Sequence, residues 1–340
     1  MSNSIAIVGA GVSGLTCGVL FAERGHRTAI FAEETGGRTT SAVAAAIWFP
    51  YDAEPADKVI AWALATYKIL VDLSRDSRSG VSMIEQRVFS RTGEIPIPDW
   101  AIPLDARRLS DVATALCTVQ NRPQAGGYTG FTSGFAITVP LTDTTIYLDY
   151  LTNRFAKAGG SINGNVRFEK LEEVDREFDL VINCAGIGAR TLVPDLDLEP
   201  HRGQVAIVSR IDIPYAVVCD DSPLMYAIPR ANDCVFGGTN DVSDNRNVDR
   251  ASTSRIVAEC SRVLNIDNPK VIAERVGLRP FRKSGVRIEP EKLRDGRTVI
   301  HNYGHGGAGF TLSWGCSENV FRVARHNSQS PSPPLSLDSR

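Results

Sequence analysis

Apolar positions along this chain recur with two different periods, and the switches between them predict its elements. Residues 4–8 form a continuous apolar run that ends at a glycine, residues 12–25 carry apolar side chains at helical spacing, and residues 27–32 are a second run of strand formers. Together they predict a β-α-β unit, because parallel strands need a crossover and a helix commonly supplies it. Helical spacing returns over residues 56–75, and strand-like segments lie near 81–90 and 134–141. Thr144 or Thr145 is placed to cap a helix through Ala158, which Gly159 and Gly160 end by accepting positive φ. Residues 179–184, DLVINC, read as a short buried parallel strand running into the turn AGIG. Residues 224–228 and 234–238 flank PRAND and read as a hairpin. Residues 252–264 predict a helix and residues 271–280 and 298–303 strands; GHGGAGF then opens a last helix to about Arg325. The Ser- and Pro-rich residues 327–340 have no apolar period and are expected to form a disordered tail.

Charge narrows the function. The 340 residues carry 37 basic and 39 acidic side chains, a formal net charge of -2, so the basic stripe of a nucleic-acid binder is missing. Hydrophobic residues at 43% and charged residues at 22% are ordinary globular usage and exclude disorder as the main state. The apolar N-terminal run lacks a basic leader and is interrupted by Gly9, Gly11 and Gly14, so neither a signal peptide nor a membrane span is expected. Seven scattered cysteines without a CxxC pattern fit reduced thiols and a cytoplasmic protein.

GAGVSG, comprising Gly9, Ala10, Gly11, Val12, Ser13 and Gly14, matches GxGxxG in the context the motif requires, after a strand and opening a helix. Gly9 makes the tight turn, Gly11 lets a pyrophosphate approach the backbone, and Gly14 lets the helix pack closely. Free N–H groups at the helix start then receive phosphates. Glu33 stands about 20 residues on, where a carboxylate can bind an adenosine ribose; Glu34, expected to turn away, is the weaker candidate. This pattern serves NAD and FAD alike. Two further glycine turns, at Gly186 with Gly188 and in GHGGAGFTLSWG, favour a long buried cofactor over a diffusible nicotinamide.

With those turns in place the chain resembles the D-amino-acid oxidase family of FAD flavoproteins, as a microbial member, over all but its tail. The resemblance rests on IAIVGAGVSGL, TTSAVAAAIWFPY, VINCAGIGA, HRGQV, MYAIPR with CVFGGT, VGLRPFR and HNYGHGGAGFTLSWG in that order. It implies an α/β fold: a Rossmann-type FAD-binding domain from residues 1–50, 144–192 and 298–326, interleaved with a mixed-sheet α+β substrate-binding domain from 51–143 and 193–297. Arg279 then looks like the clamp for the substrate carboxylate, Tyr226 like the tyrosine that binds the same carboxylate, and Gly307 like the carbonyl that accepts from the substrate amino group. A planar guanidinium supplies two parallel charge-assisted bonds that a lysine cannot, and the apolar VGLRP run around Arg279 reads as buried. Gly306, Ala308, Gly309, Phe310 and Thr311 match positions around the flavin ring. Thr39, Thr40 and Ser41 fit the phosphates and ring, Ala46, Ile47 and Trp48 the strip against the flavin, Val166 the adenine, and Gly186 the second cofactor turn. Members of the family oxidise a D-amino acid by hydride transfer from Cα to flavin N5, with dioxygen reduced to hydrogen peroxide and the imine hydrolysed to a 2-oxo acid and ammonia. The implied partners are therefore a small D-amino acid and dioxygen, with no nucleic acid and no membrane; a homodimer is an assembly open to it.

Of the five histidines, only His305 falls near the expected ring, and no catalytic base is apparent. The stretch before Tyr226 is shorter than the vertebrate lid, which predicts an open entrance with Met225 and Leu224 nearby. Asn240 stands after GGT, where relatives preferring D-aspartate carry arginine, so neutral substrates are favoured. Phe49, Ile47 and Ile228 are expected to line an apolar side-chain pocket, while Arg230, if its guanidinium rotates, could admit a second carboxylate. The alternatives are a D-aspartate or glycine/sarcosine oxidase of the same fold, an NAD(P)-dependent dehydrogenase, and a nucleotide-binding module without turnover.

Overall fold

The structure, a computed structural model, describes residues 4–50, 53–112, 115–116 and 130–329. The chain opens with β1 (Ser4–Val8), α1 (Val12–Glu23) and β2 (Arg27–Ala32), followed by the single turn α2 (Thr40–Val43) and the long α3 (Ala56–Leu73). It continues with β3 (Val81–Ser90), β4 (Arg107–Arg108), β5 (Ser133–Thr142), α4 (Thr144–Lys157), β6 (Ser161–Gly164), β7 (Leu180–Asn183) and the single turn α5 (Ala189–Leu192). After these come β8 (Leu198–Ser209), β9 (Tyr215–Cys219), β10 (Met225–Pro229), β11 (Asp233–Gly237), β12 (Asp241–Val242) and α6 (Arg250–Leu264). The last elements are β13 (Val271–Arg282), β14 (Pro290–Lys292), β15 (Thr298–His301) and α7 (Gly309–Gln329).

Two sheets organise these elements. The first has the order β14-β15-β7-β1-β2-β6 and is parallel except for the edge strand β14. Ile5, Ile7, Val181 and Ile182 are fully buried, as expected of parallel strands covered on both faces. Helices α1, α4 and α7 pack together on one side, and α3 lies against α7. The second sheet runs β12-β8-β11-β10-β9-β3-β5-β4, with β13 along the opposite edge of β8. Its pairs are antiparallel apart from β3 with β9. The chain crosses repeatedly between the sheets, so an α/β unit and a mixed-sheet unit are built from interleaved segments.

Local chemistry explains where element ends depart from expectation. The cap of α4 is Asp143, whose carboxylate accepts from Thr145 N–H at 3.0 Å and from the Thr145 hydroxyl at 2.7 Å. Thr144 instead donates its hydroxyl to Ala42 O at 3.2 Å. Helix α6 starts at Arg250, two positions before the apolar period begins, because Asp249 accepts from both Ala251 and Ser252 N–H. Helix α7 extends to Gln329, into the stretch expected to be tail, and residues 330–340 lie outside the described ones. No helix among the described residues is long and apolar enough to cross a membrane.

Replacing the α4 cap, Asp143→Ala, is expected to cost about 1 kcal/mol of stability, measured as a lower midpoint in denaturant unfolding. An unchanged midpoint would show that the cap adds nothing beyond solvent.

Candidate active site

A cavity of about 800 Å³ lies between the two sheets and runs from the glycine turn after β1 to the face of the second sheet. The turn is sterically determined. Gly9 has φ 110°, and a Cβ there would collide with the backbone of Cys184 at the exit of β7. A Cβ on Gly14 would collide with the Gly9 carbonyl, so α1 can sit this close to its own turn only with glycine at both places. Gly14 is consequently buried in packing and off the cavity wall, whereas Gly9, Ala10, Gly11, Val12 and Ser13 are on it. Gly11 caps α1 with no side-chain bond and the first turn holds no acidic residue, so the positive helix end is open to an anion. Ser41 accepts from Val12 N–H at 2.9 Å, tying α2 to this turn.

Beyond the turn, Glu33 leaves β2 on the cavity wall and pairs with Arg167 at 3.4 Å. Glu34 does not turn away as expected. It lines the same cavity and pairs with Arg246 at 3.1 Å. Thr39, Thr40, Ser41, Val166 and Gly186 are also on the wall, with Val166 fixed by its N–H to Ala32 O at 3.0 Å. A glycine cradle a Cβ would fill, an open helix start and a carboxylate at the end of the second strand are the donor set a dinucleotide needs. The residues present therefore fit FAD.

Towards the second sheet the wall is made by residues 43–47, Phe49 and the turn before α7. Ala46 takes φ 50°, which costs a non-glycine residue roughly 1–2 kcal/mol, and its carbonyl is held by Thr142 N–H at 3.0 Å. Thr311 accepts from Phe49 N–H at 3.1 Å and donates to Phe49 O at 3.0 Å, joining this strip to α7. Trp48 departs from expectation: its ring is 1% exposed and donates to Ala63 O at 3.1 Å, facing α3 while Ile47 faces the cavity. Gly306, Gly307, Gly309, Phe310 and Thr311 are on the wall. Ala308 is not; it is 1% exposed within the core, and its backbone N–H closes the turn onto His305 O at 2.9 Å.

Arg279, Tyr226 and Gly307 meet at this end. Gly306 N–H donates to Pro280 O at 2.9 Å, which sets the turn against the residue following Arg279. Arg279 is half-buried, less enclosed than its apolar neighbours suggested, because it forms part of the cavity wall. Its Nη1 donates to Thr239 O at 2.9 Å and Asn240 Oδ1 at 3.2 Å. No ion pair among the described residues includes it. Tyr226 stands beside the guanidinium; burial pushes its phenol above the ordinary value and the Arg279 charge acts the other way, leaving it neutral. Gly203 and Gly237 make room for both: a Cβ on Gly203 would lie 2.5 Å from Arg279 Nη2, and one on Gly237 would collide with the Tyr226 ring.

Ile47, Phe49, Val218, Leu224 and Ile228 complete the pocket, with Asp220 and Gln86 as its polar members. Sequence reading missed Gln86, although it holds an inward position in the alternation Ile84, Gln86, Val88 of β3. Arg230 is corrected. It is 7% exposed and bonded to Asp233 through Nε at 2.6 Å and Nη2 at 2.7 Å, so its guanidinium is already occupied and away from the cavity. His305 is buried, within 3.1 Å of Asn302 Oδ1 through Nε2, and burial pushes its imidazole down to about 4. It is neutral near pH 7.

Residues 4–322 match the model of the family described as FAD dependent oxidoreductase. The D-amino-acid oxidase of Rubrobacter xylanophilus is 35% identical over 322 residues, covering 94% of each chain. That of Streptomyces coelicolor is 36% identical over 328 residues, covering 95% of this chain and 97% of its own. Among solved structures, glycine oxidase from Geobacillus kaustophilus superposes with a TM-score of 0.76 over 98% of this chain and 97% of its own, at 17% identity, a likeness of fold.

The depressed imidazole makes stability depend on pH. Between the ordinary value of 6.5 and about 4, the unfolded chain protonates His305 and the folded one does not, so stability falls with pH through that window and levels off below it. His305→Gln is expected to flatten part of the fall in thermal midpoint between about pH 7 and 4.5; identical slopes for the two proteins would overturn this.

Proposed function

The chain belongs to the FAD-dependent oxidoreductase family, and we propose that its Arg279, Tyr226 and Gly307 hold a neutral D-amino acid for oxidative deamination. It is an FAD-dependent D-amino-acid oxidase that forms 2-oxo acids, ammonia and hydrogen peroxide. The observation that carries the residue assignment is Arg279, a half-buried guanidinium with no acidic partner among the described residues, aimed into a cavity whose far end is built for phosphates. A partly desolvated cation calls for an anion, and a substrate carboxylate supplies it.

The chain positions rather than titrates. Arg279 presents a planar fork to the carboxylate, giving charge-assisted bonds worth roughly 1.5–3 kcal/mol each. Tyr226, kept neutral, donates its hydroxyl to the same group. The Gly307 carbonyl accepts from the substrate amine, which orients Cα without a charged side chain. FAD, when bound, supplies the acceptor for the hydride leaving Cα, and dioxygen takes the electrons on to hydrogen peroxide. Helix α7 begins at Gly309 on the cavity wall, where its positive end favours negative charge. Water then hydrolyses the imino acid. His305, neutral and bonded to Asn302, is not the base; holding the substrate in register accounts for the rate.

Neutral substrates are supported by three features. Arg230 is neutralised by Asp233, Asn240 accepts from Arg279 instead of offering a second cation, and Asp220 places a carboxylate on the pocket wall. Ile47, Phe49 and Ile228 give apolar walls beyond what a glycine substrate requires. The D preference is supported by the two oxidases this chain is most like among those named above. Residues 1–50, 144–192 and 298–326 are assigned to the cofactor and 51–143 with 193–297 to the substrate; the strands divide between the two sheets in the same way except β14, which lies in 193–297 and pairs in the first sheet. Six cysteines among the described residues are free and buried, which suits a cytoplasmic location.

Purified protein is expected to be yellow and to release hydrogen peroxide in air from D-alanine and not from L-alanine. It should give a higher kcat/KM for D-alanine, D-methionine or D-phenylalanine than for D-aspartate. A colourless protein that FAD cannot restore, or peroxide from the L-isomer, would overturn the reading. Gly203→Ala, which intrudes on the guanidinium, is expected to raise KM for D-alanine at least about 10-fold while the flavin spectrum persists; an unchanged KM would place the carboxylate elsewhere.

A further inference from the structure

We propose that Gln86 is a specificity-determining residue whose side-chain amide hydrogen-bonds a neutral polar group on the substrate side chain. Amide-bearing D-amino acids are then favoured over apolar ones of the same shape. This deepens the oxidase reading and rests on it.

Strand β3 brings Gln86 to the pocket. Gln86 pairs with Ala216 of β9, and Tyr226 of β10 pairs with Val218, two residues further along β9. Side chains two apart on a strand share a face, and paired residues point the same way, so Gln86 and Tyr226 stand on one face from opposite sides of β9. The small side chain of Ala216 between them leaves the amide open to the cavity it lines. Gln86 is only 1% exposed, so it belongs to the floor of the pocket and not to its rim.

Its hydrogen-bonding state sets it apart. Among the described residues no group bonds to either Gln86 Nε2 or Gln86 Oε1. The other buried glutamine on this sheet shows what the fold does when an amide is structural. Gln204 Nε2 donates to Asp249 O at 2.7 Å and Thr253 Oγ1 at 2.8 Å, while its Oε1 accepts from Arg202 at 2.6 Å and Asp249 N–H at 2.9 Å. A buried polar group that lacks partners in the protein and faces a binding cavity is matched to a ligand. The chemistry selects the ligand class. Gln86 offers donors and an acceptor without net charge, which a primary amide answers with both roles at once. An acidic side chain would instead meet Asp220 in the same pocket. A site built to bond a polar group rejects an isostere that lacks it, because its own polar atoms are left unpaired.

D-Asparagine and D-leucine have nearly the same shape and differ in this bond. For the wild-type holoenzyme, kcat/KM is expected to be at least about 10-fold higher for D-asparagine than for D-leucine, and Gln86→Leu is expected to reverse that order. Gln86→Met is the second variant should the first fail to hold its flavin. Binding gives an independent readout: 2-oxosuccinamate should raise the thermal midpoint of the wild type more than 4-methyl-2-oxopentanoate does, and of the variant less. A wild-type preference for D-leucine, or a D-asparagine to D-leucine ratio that stays within about twofold in the variant, overturns the proposal. Should no D-amino acid yield peroxide, the oxidase reading fails, and the difference in thermal shift between the two oxo acids still decides whether Gln86 binds an amide.

Discussion

A guanidinium kept free of carboxylates is the constraint from which the rest of the site follows. Three other arginines of this fold are closed by carboxylates: Arg91 on Glu259 at 2.5 Å, Arg282 on Asp195 at 2.8 Å, Arg230 on Asp233 at 2.6 Å. Arg279 meets oxygen dipoles instead, those of Thr239 and Asn240 and the Tyr226 phenol. Neutral oxygens hold the fork in place without cancelling its charge, so its affinity for an anion is kept for whatever enters the cavity. Gly203 on β8 leaves the space this guanidinium occupies, and Gly237 on β11 leaves that of the Tyr226 ring.

The two ends of the cavity use different physics for the same purpose. At the glycine turn, negative charge is met by backbone N–H groups and a helix end, with no cationic side chain needed. At the other end a side-chain cation does the work, beside a tyrosine that stays neutral because burial outweighs the effect of its charged neighbour. His305 is subject to the same burial and loses its proton, which removes a cation from beside the turn at Gly306. Of the groups beside Arg279, Tyr226 and His305 are therefore neutral, and Asp220 is the carboxylate on the same wall.

Much of this was legible in the residues. The apolar runs of β1, β2 and β7 and the glycines between strand and helix have local signatures, because burial on both faces and close backbone approach each demand particular residue types. What escaped is set by tertiary contacts. Asp143 and Thr144 are both capping residues, and only the approach of Ala42 O decides which one caps α4. Trp48 and Ile47 are neighbours in an apolar strip, and which faces the cavity depends on α3. The isolation of Arg230 from the pocket depends on Asp233, three residues away across a hairpin turn. Gln86 was visible as a polar residue at an inward position, but its significance is that nothing packs against it to bond, which a strand pattern does not record.

The bond from Gly306 N–H to Pro280 O joins the residue after Arg279 to the turn that carries Gly307. This bond couples the end of β13 to the turn before α7, so on the proposed assignment a shift of one carries the other and keeps the spacing between a carboxylate at Arg279 and an amine at Gly307. Divergence in what the pocket accepts is then channelled to positions outside that coupled pair, on β3 and on the loop between β9 and β10. Such a scaffold can change its diet without relearning how to grip an amino acid.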